Sequence, residues 1–311
     1  QKYVDQLKLV RQKNAGPAAA RNFGAREAKG DYVYFLDCDD ELLDYALVEV
    51  KKALELFPLS KIIVGGYLNN NRKGDKIRLV KGVTQNREKN FKRYIRKQLS
   101  GFCHGSVILH RSIFQIIHYP ESIRNNEDIV FFAQAMAMFD VTIIDKPLVK
   151  IYNRPDSLRK DIQAIILSDT KMVDLLFDST VLPESYLQYR KEFYNSRVLS
   201  IFRSLFIAGQ SRPAKQLYLQ LFKSNPMVFF RWSYTKKFLK LLSKNQINQL
   251  IEEIEERIVD SKFHLRLDKQ ELIKGVVVLS EKDTIKIRIH TPIYNKKESI
   301  RKFSEVFQVV N

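Results

Sequence analysis

The chain has 311 residues, 45% of them hydrophobic and 11% aromatic, enough to bury a core, so a globular protein is expected. Its longest nearly apolar run, Ile129 to Ile144, is shorter than the ~20 residues of a membrane-spanning helix, and two cysteines argue against a disulfide framework. The formal charge of +18 predicts a positive field that attracts nucleic acid, anionic lipid or a phosphate-bearing substrate.

The first 150 residues alternate strand-like and helical patterns. Helices are predicted at 16–30 and at 45–57, where Pro58 ends the pattern. A basic stretch from 70 to 97 predicts a loop followed by a helix. Strands are predicted at 7–12, 32–37, 60–67, 105–114 and 141–152. This alternation predicts an α/β domain with a mostly parallel sheet.

Later residues change in character. Long helical patterns run from about 162 to 258, followed by β-branched runs and a helical pattern at 296–310. We therefore expect a catalytic-type α/β domain at 1–160, a helical region at 161–275 and a strand-turn-helix segment at 276–311. Between Arg190 and Lys244 lie twelve Lys or Arg, the single acid Glu192 and eleven aromatics, a mixture typical of a membrane surface. The alternative is helices whose aromatics form the core while the cations are solvated.

The stretch YVYFLDCDD carries three acids, Asp37, Asp39 and Asp40, at the end of a predicted strand. Ligands of parallel α/β sheets bind at the carboxyl ends of strands. Three clustered carboxylates repel one another, and a bound Mg²⁺ or Mn²⁺ ion would relieve that repulsion with oxygen ligands. An isolated Asp-x-Asp, however, is more often a plain acidic turn.

The longer segment QKNAGPAAARNFGAREAKGDYVYFLDCDDE resembles the nucleotide-sugar-binding segment of the family 2 glycosyltransferases, whose catalytic domain has the α/β architecture called GT-A. The resemblance implies that Asp37 and Asp39 form the Asp-x-Asp motif. Asp37 would contact the ribose or the metal, and Asp39 would coordinate the metal that bridges the diphosphate. Asn14 and Arg21 would lie near the nucleotide, although a plain surface role for Arg21 is the alternative.

The stretch IRNNEDIVFF resembles the Glu-Asp pair with which the same family begins a helix. The resemblance implies that Asp128, next to Glu127, is the base that takes the proton of the acceptor hydroxyl. Without the family, two acids in a first helical turn simply complement the helix dipole. Arg154 could close over the diphosphate or belong to a solvated basic loop. His104 could line the acceptor side, but a structural histidine is the favoured interpretation.

The chain departs from the family pattern because the usual opening strands do not precede Gln1. Residues 285–307, with the motif TPIYN, resemble such an opening. Pro292 and Tyr294 would then frame the base, with Tyr294 stacked on uracil. Three explanations fit this resemblance. The segment could begin a second transferase domain, it could belong to a rearranged or incomplete single domain, or the resemblance could be a coincidence.

The sequence therefore predicts an inverting hexosyl- or N-acetylhexosaminyltransferase that uses a nucleoside-diphosphate sugar, a UDP-sugar above all, and Mn²⁺ or Mg²⁺. The expected acceptor is a bacterial surface glycan: lipopolysaccharide, capsule or teichoic acid, free or lipid-linked. We expect a cytoplasmic protein, peripheral at the inner face of the membrane, with no nucleic-acid partner. The alternatives are a nucleic-acid- or polyanion-binding protein and an inactive glycosyltransferase-like scaffold.

Overall fold

A computed structural model describes residues 8–71, 74–123, 125–152 and 171–242, together with the backbone of three strands between 263 and 290. The chain divides into two compact units, Gln1–Ile201 and Phe202–Asn311. In the described ranges, no helix is long and apolar enough to cross a membrane.

The first unit contains a mixed sheet in the order β1-β5-β3-β6-β2, with β4 paired to β3. The strands are β1 (Tyr32–Tyr34), β2 (Glu41–Leu42), β3 (Ile62–Asn71), β4 (Gly74–Arg78), β5 (Val107–His110) and β6 (Val141–Tyr152). The pair β3 and β6 is parallel. The pairs β1–β5, β3–β5, β3–β4 and β2–β6 are antiparallel.

The α/β class is confirmed, but the strand directions differ from the mostly parallel sheet that was expected. β1, β3 and β6 run in one direction, while β5 enters between β1 and β3 in the opposite direction. β4 returns beside β3 as an antiparallel neighbour within the stretch predicted as a loop. The strand predicted at 7–12 is also not found, since residues 8–15 form neither helix nor strand. Hydrophobic periodicity indicates a strand but not its direction or its partner.

Four helices accompany this sheet: α1 (Gly16–Glu27), α2 (Ala46–Leu56), α3 (Arg87–Ile95) and α4 (Glu127–Met138). Pro17 lies in the first turn of α1, where its missing N–H costs nothing. The side chain of Asn86 caps α3 by accepting the N–H of Lys89 at 2.8 Å. The helices predicted at 16–30 and 45–57 are thus confirmed, and α2 ends before Pro58 as expected.

Both faces of the sheet are buried, which explains the continuous apolar runs of its central strands. Ile63 and Ile108 pack with Ala46 and Val50 of α2. On the other face, Ile62, Val64, Val107 and Leu109 pack with Ala18 of α1 and Phe131 and Phe132 of α4. Alternate residues of one strand point to opposite faces, so β3 and β5 serve both layers. The acidic turn after β1 and the start of α4 are therefore attached to one rigid core.

The helical region is confirmed over the described residues 171–242. Residues 171–176 are helical, and longer helices span Arg190–Ile207, Ser211–Ser224 and Trp232–Leu239. Beyond them, β7 (Phe263–Arg266), β8 (Val276–Glu281) and β9 (Lys286–His290) form an antiparallel sheet in the order β7-β8-β9. β7 falls inside the range 161–275 that was expected to be helical.

Most aromatics of the second unit's helices are internal. Tyr218 and Phe238 stack with ring centroids 4.2 Å apart, and the Tyr218 hydroxyl lies 2.7 Å from the hydroxyl of Thr235. The rings that are almost wholly buried are Phe202, Tyr218, Phe222, Phe229 and Phe238. These five rings form a core, as the alternative to the membrane-surface interpretation required. They are therefore not available to lie among lipid headgroups.

Candidate active site

The acidic turn lies immediately after β1. The N–H of Asp40 donates to the carbonyl of Asp37 at 3.0 Å. This hydrogen bond closes a tight turn that carries all three carboxylates. Asp37 is exposed, whereas Asp39 and Asp40 are half-buried. Burial, followed by the negative charge of Asp39, raises the pKa of Asp40. The turn therefore concentrates negative charge as the sequence predicted.

Arg21 of α1 joins this turn to the start of α4. Its Nη1 donates to Glu127 Oε1 at 2.7 Å, and its Nη2 donates to Asp37 Oδ1 at 3.4 Å. The Arg21 and Glu127 side chains are only 14% and 10% exposed, so this is a largely buried ion pair. Burial raises the pKa of Glu127, and the charge of Arg21 acts in the opposite direction. Arg21 is thus in direct contact with two other residues that were predicted separately as site residues.

Asp128 follows Glu127 in the first turn of α4. Asn126, just before the helix, has the left-handed value φ 63°. Asp128 Oδ1 accepts the N–H of Ile129 at 2.9 Å. Acids at this position complement the positive end of the helix dipole, and the helix holds the Asp128 carboxylate at the edge of a cavity described below.

Tyr119 is the central contact beneath Arg21, and sequence reasoning missed it. The Arg21 guanidinium lies 5.7 Å from the centroid of its ring. The buried Asn22 side chain donates to the Tyr119 carbonyl at 2.8 Å and accepts the Tyr119 N–H at 2.9 Å. The opposite side of the ring system is fixed by Phe131, whose ring stacks on Tyr119 at 4.0 Å. Tyr119 therefore ties α1 to α4, and no local pattern marks it for that role.

His104 is a structural histidine in most respects, as the favoured interpretation held. Its Nε2 lies 2.9 Å from the Tyr119 hydroxyl, and its ring contacts Phe35 and Phe132 edge-on. Burial, followed by the charge of Arg21, lowers the pKa of His104 to about 3. The imidazole is consequently neutral at physiological pH, although the residue also lines the cavity beside Asp128.

The cavity beside Asp128 has a volume of about 190 Å³. It lies wholly within the first unit. Its lining residues are Tyr94, Ile95, Lys97, Leu99, Phe102, Cys103, His104, Asp128, Ile129, Phe132, Phe193 and Arg197. Burial raises the pKa of Cys103 to about 12 and, together with the charge of Asp128, raises that of Tyr94 well above its ordinary value. Both groups are therefore neutral, and the formal charges of the cavity belong to Lys97, Asp128 and Arg197.

The loop that forms one wall of this cavity depends on two residues in left-handed conformations. Lys97 has φ 57° and Gly101 has φ 72°. A Cβ at Gly101 would lie 1.9 Å from the carbonyl oxygen of Leu79, so only glycine fits there. The loop is further held by backbone hydrogen bonds between Lys81 and Ser100.

The acidic turn fits a divalent metal that completes its coordination with other oxygens. Among the described residues, no three His, Cys, Asp or Glu side chains gather closely enough to hold a metal ion by themselves. Mg²⁺, however, is commonly held by one or two carboxylates plus water and substrate phosphates. Arg21 contacts Asp37 of this turn, and the charges of Asp39 and Asp37 add to the burial that raises the pKa of Asp40.

The remaining predicted site residues are apart from this cluster or outside the described residues. Asn14 is exposed, and its side chain accepts the N–H of Gly16 at 3.2 Å, where it supports the start of α1. Arg154, Pro292 and Tyr294 lie outside the described residues. Their roles stay predictions.

Residues 1–117 match the family described as Glycosyl transferase family 2. The matched segment contains Asn14, Arg21 and the whole acidic turn, whose contacts are given above. This first segment of the chain is therefore similar to glycosyltransferase family 2. The α/β sheet and the helices that follow it agree with the GT-A catalytic core expected for such a transferase.

Two bacterial relatives are named as glycosyltransferases. The chain is 27% identical over 252 residues to an uncharacterized glycosyltransferase of Rickettsia conorii, a match that covers 78% of this chain and 39% of the relative. It is 30% identical over 125 residues to an uncharacterized glycosyltransferase of Haemophilus influenzae, with 40% of this chain and 46% of the relative covered. The chain thus spans less than half the length of these curated relatives.

Two further similarities concern a solved structure and the second unit. The crystal structure of Staphylococcus aureus TarS 1–349 in complex with UDP is similar over 92% of this chain and 83% of that one, with 14% identity and a TM-score of 0.41. Residues 231–291 of the chain match a second family, described as RNA binding.

Proposed function

We propose that the transferase moves a sugar from a nucleoside-diphosphate donor, a UDP-sugar, to a bacterial surface glycan with inversion at the anomeric carbon. The observation that carries the proposal is the contact of Arg21 with both Asp37 and Glu127. Through this contact, the acidic turn assigned to the donor lies next to the helix start that bears the candidate base, Asp128.

In the proposed mechanism, Asp128 takes the proton of the acceptor hydroxyl while the hydroxyl oxygen of the acceptor attacks the anomeric carbon. The bond from that carbon to the nucleoside diphosphate breaks at the same time, and the diphosphate leaves with the electron pair. Asp39, with Asp37, would hold Mg²⁺ or Mn²⁺, which when bound offsets the growing negative charge of the leaving group. Arg21 keeps Asp37 and the first turn of α4 in place, rather than contacting phosphate alone.

The acceptor class and the location of the protein belong to the same proposal. The +18 charge supports an anionic chain or membrane as the surroundings in which the transferase works. We propose a cytoplasmic site at the inner face of the membrane, with lipopolysaccharide, capsule or teichoic acid as the acceptor and a hexosyl or N-acetylhexosaminyl group transferred. The contact surface would be basic, because the buried rings of the second unit are not available for it.

Calorimetric titration of UDP into the purified chain tests the donor site. Binding is expected with Mn²⁺ and not with EDTA, and Asp39→Ala should weaken the Mn²⁺-dependent binding by about tenfold or more, because a metal ligand is lost. The matched control is Asp145→Ala, which removes an exposed carboxylate of β6 away from the acidic turn. The proposed metal-dependent donor site would be contradicted if UDP bound equally well with Mn²⁺ and with EDTA. It would also be contradicted if UDP bound the Asp39 variant as tightly as the wild-type chain.

A second function, RNA binding by the second unit, is favoured by the family match at 231–291. Residues 202–242 contain no acid and eight cations: Arg203, Arg212, Lys215, Lys223, Arg231, Lys236, Lys237 and Lys240. Burial, followed by the charges of Arg203 and Lys240, lowers the pKa of Lys237, so these three of the eight cations lie near one another. This arrangement bears against the expectation of no nucleic-acid partner, and supports a phosphate-binding surface.

Fluorescence anisotropy with a labelled single-stranded RNA tests this second function. RNA binding by the second unit predicts a salt-sensitive dissociation constant below about 1 µM, tighter than ordinary non-specific binding. The combined variant Lys236→Gln, Lys237→Gln and Lys240→Gln should weaken it, while Lys51→Gln with Lys52→Gln on α2 should not. Equal effects of the two variants would show that the binding depends on net charge alone.

A further inference from the structure

The cavity beside Asp128 combines one carboxylate with two cations from different elements. Arg197 belongs to the helix Arg190–Ile207 and is only 4% exposed. Lys97 belongs to the loop after α3 and is exposed, which places it at the solvent side of the cavity. His104, Cys103 and Tyr94 are neutral, and Arg197 Nη2 also donates to Ser200 Oγ at 3.1 Å.

The apolar part of the lining gives the cavity its shape. Ile129 and Phe132 come from α4, Ile95 from the end of α3, and Phe193 from the same helix as Arg197. The volume of about 190 Å³ corresponds to about six water molecules. This volume suits one small polyol or sugar unit.

Arginine and lysine in such a place favour an anionic oxygen group. Two N–H groups of a guanidinium match the two oxygens of a phosphate or a carboxylate. Asp128 alone would repel such a group, whereas Lys97 and Arg197 in the same lining attract it. A hydroxyl next to the anionic group would then lie on the Asp128 side of the cavity.

We propose that this cavity is the acceptor site and that it takes an acceptor unit bearing an anionic oxygen group, phosphate or carboxylate, which Arg197 and Lys97 bind. The proposal rests on the proposed transferase function and adds the chemical class of the acceptor. It assigns a binding role to a helix that lies beyond the family-matched residues 1–117.

Ligand-observed NMR on the full chain with UDP and Mg²⁺, which is diamagnetic, tests this proposal. The probes are glycerol 3-phosphate, glycerate and glycerol, which share a carbon skeleton and differ in the anionic group. The phosphate and carboxylate probes should bind about tenfold or more tightly than glycerol, as charge-assisted hydrogen bonds require. A preference between the two anionic probes identifies the group that the acceptor carries.

Variants distinguish binding of the anionic probes in the cavity from their non-specific attraction to a basic protein. Lys97→Asn removes the charge and tolerates the left-handed backbone, and should weaken the anionic probes by about threefold to tenfold. Arg197→Lys keeps the charge without the fork and should weaken them further. Lys89→Gln, an exposed residue of α3 outside the cavity, should leave them unchanged.

The outcomes distinguish this proposal from the one on which it rests. Failure of wild-type chain to bind UDP overturns the proposed function. UDP binding with equal affinity for all three probes, or equal effects of the Lys97 and Lys89 variants, overturns the anionic acceptor and leaves the transferase intact.

Discussion

Replacing Asp128 with Asn is expected to lower the rate of sugar transfer by about 10²- to 10⁴-fold, the usual contribution of a general base. Asparagine has nearly the same shape and keeps an oxygen that can accept the N–H of Ile129, so α4 should begin at the same residue. The amide cannot take the acceptor proton. UDP affinity should stay at the wild-type value, because Asp128 is assigned to the acceptor side.

UDP release from UDP-glucose and UDP-N-acetylglucosamine, with and without a glycan acceptor, measures this loss. Asp145→Asn is the matched control, since it makes the same chemical change at an exposed position of β6. Retained turnover in the Asp128→Asn variant would remove this residue from the mechanism. Reduced UDP affinity would instead place Asp128 on the donor side.

Replacing Arg21 with Ala is expected to lower the free energy of unfolding by about 3 kcal/mol, because it leaves the Glu127 carboxylate buried without its cation. Burial already raises the pKa of Glu127, and Arg21 opposes that shift. In the variant, the pKa of Glu127 rises further. The folded state then binds a proton more readily than the unfolded state, so the loss of stability is largest above the folded pKa and shrinks as pH falls through it.

Urea unfolding at about pH 8 and about pH 5 measures this difference. In a Glu127→Gln background, the same Arg21→Ala change should cost much less and show little pH dependence, since an amide carries no charge. An equal cost in both backgrounds would show that Arg21 stabilises the fold through Tyr119 or Asp37 instead.

Local sequence patterns predicted the elements of this fold better than their arrangement. α1, α2 and the central strands follow from apolar periodicity and from the stop before Pro58, which are properties of neighbouring residues. The antiparallel entry of β5 between β1 and β3 depends on contacts between distant segments. The β4 hairpin escaped prediction because its residues are polar and all exposed.

The candidate site divides in the same way. Asp37, Arg21 and Glu127 could be named from motifs, but their mutual contact joins residues 16 and 106 positions apart. Tyr119 and Arg197 carry no local signal, because each acts through neighbours that only the fold supplies. The burial of the second unit's aromatics likewise reflects packing between helices, which composition alone does not determine.

The cavity wall formed by Phe193 and Arg197 has an evolutionary consequence. These residues lie beyond the segment shared with the family, whereas the acidic turn and Arg21 lie inside it. Substitutions in the helix Arg190–Ile207 can therefore reshape the proposed acceptor cavity without changing the residues assigned to the nucleotide. A lineage could inherit the donor half unchanged and diversify the glycan that it extends.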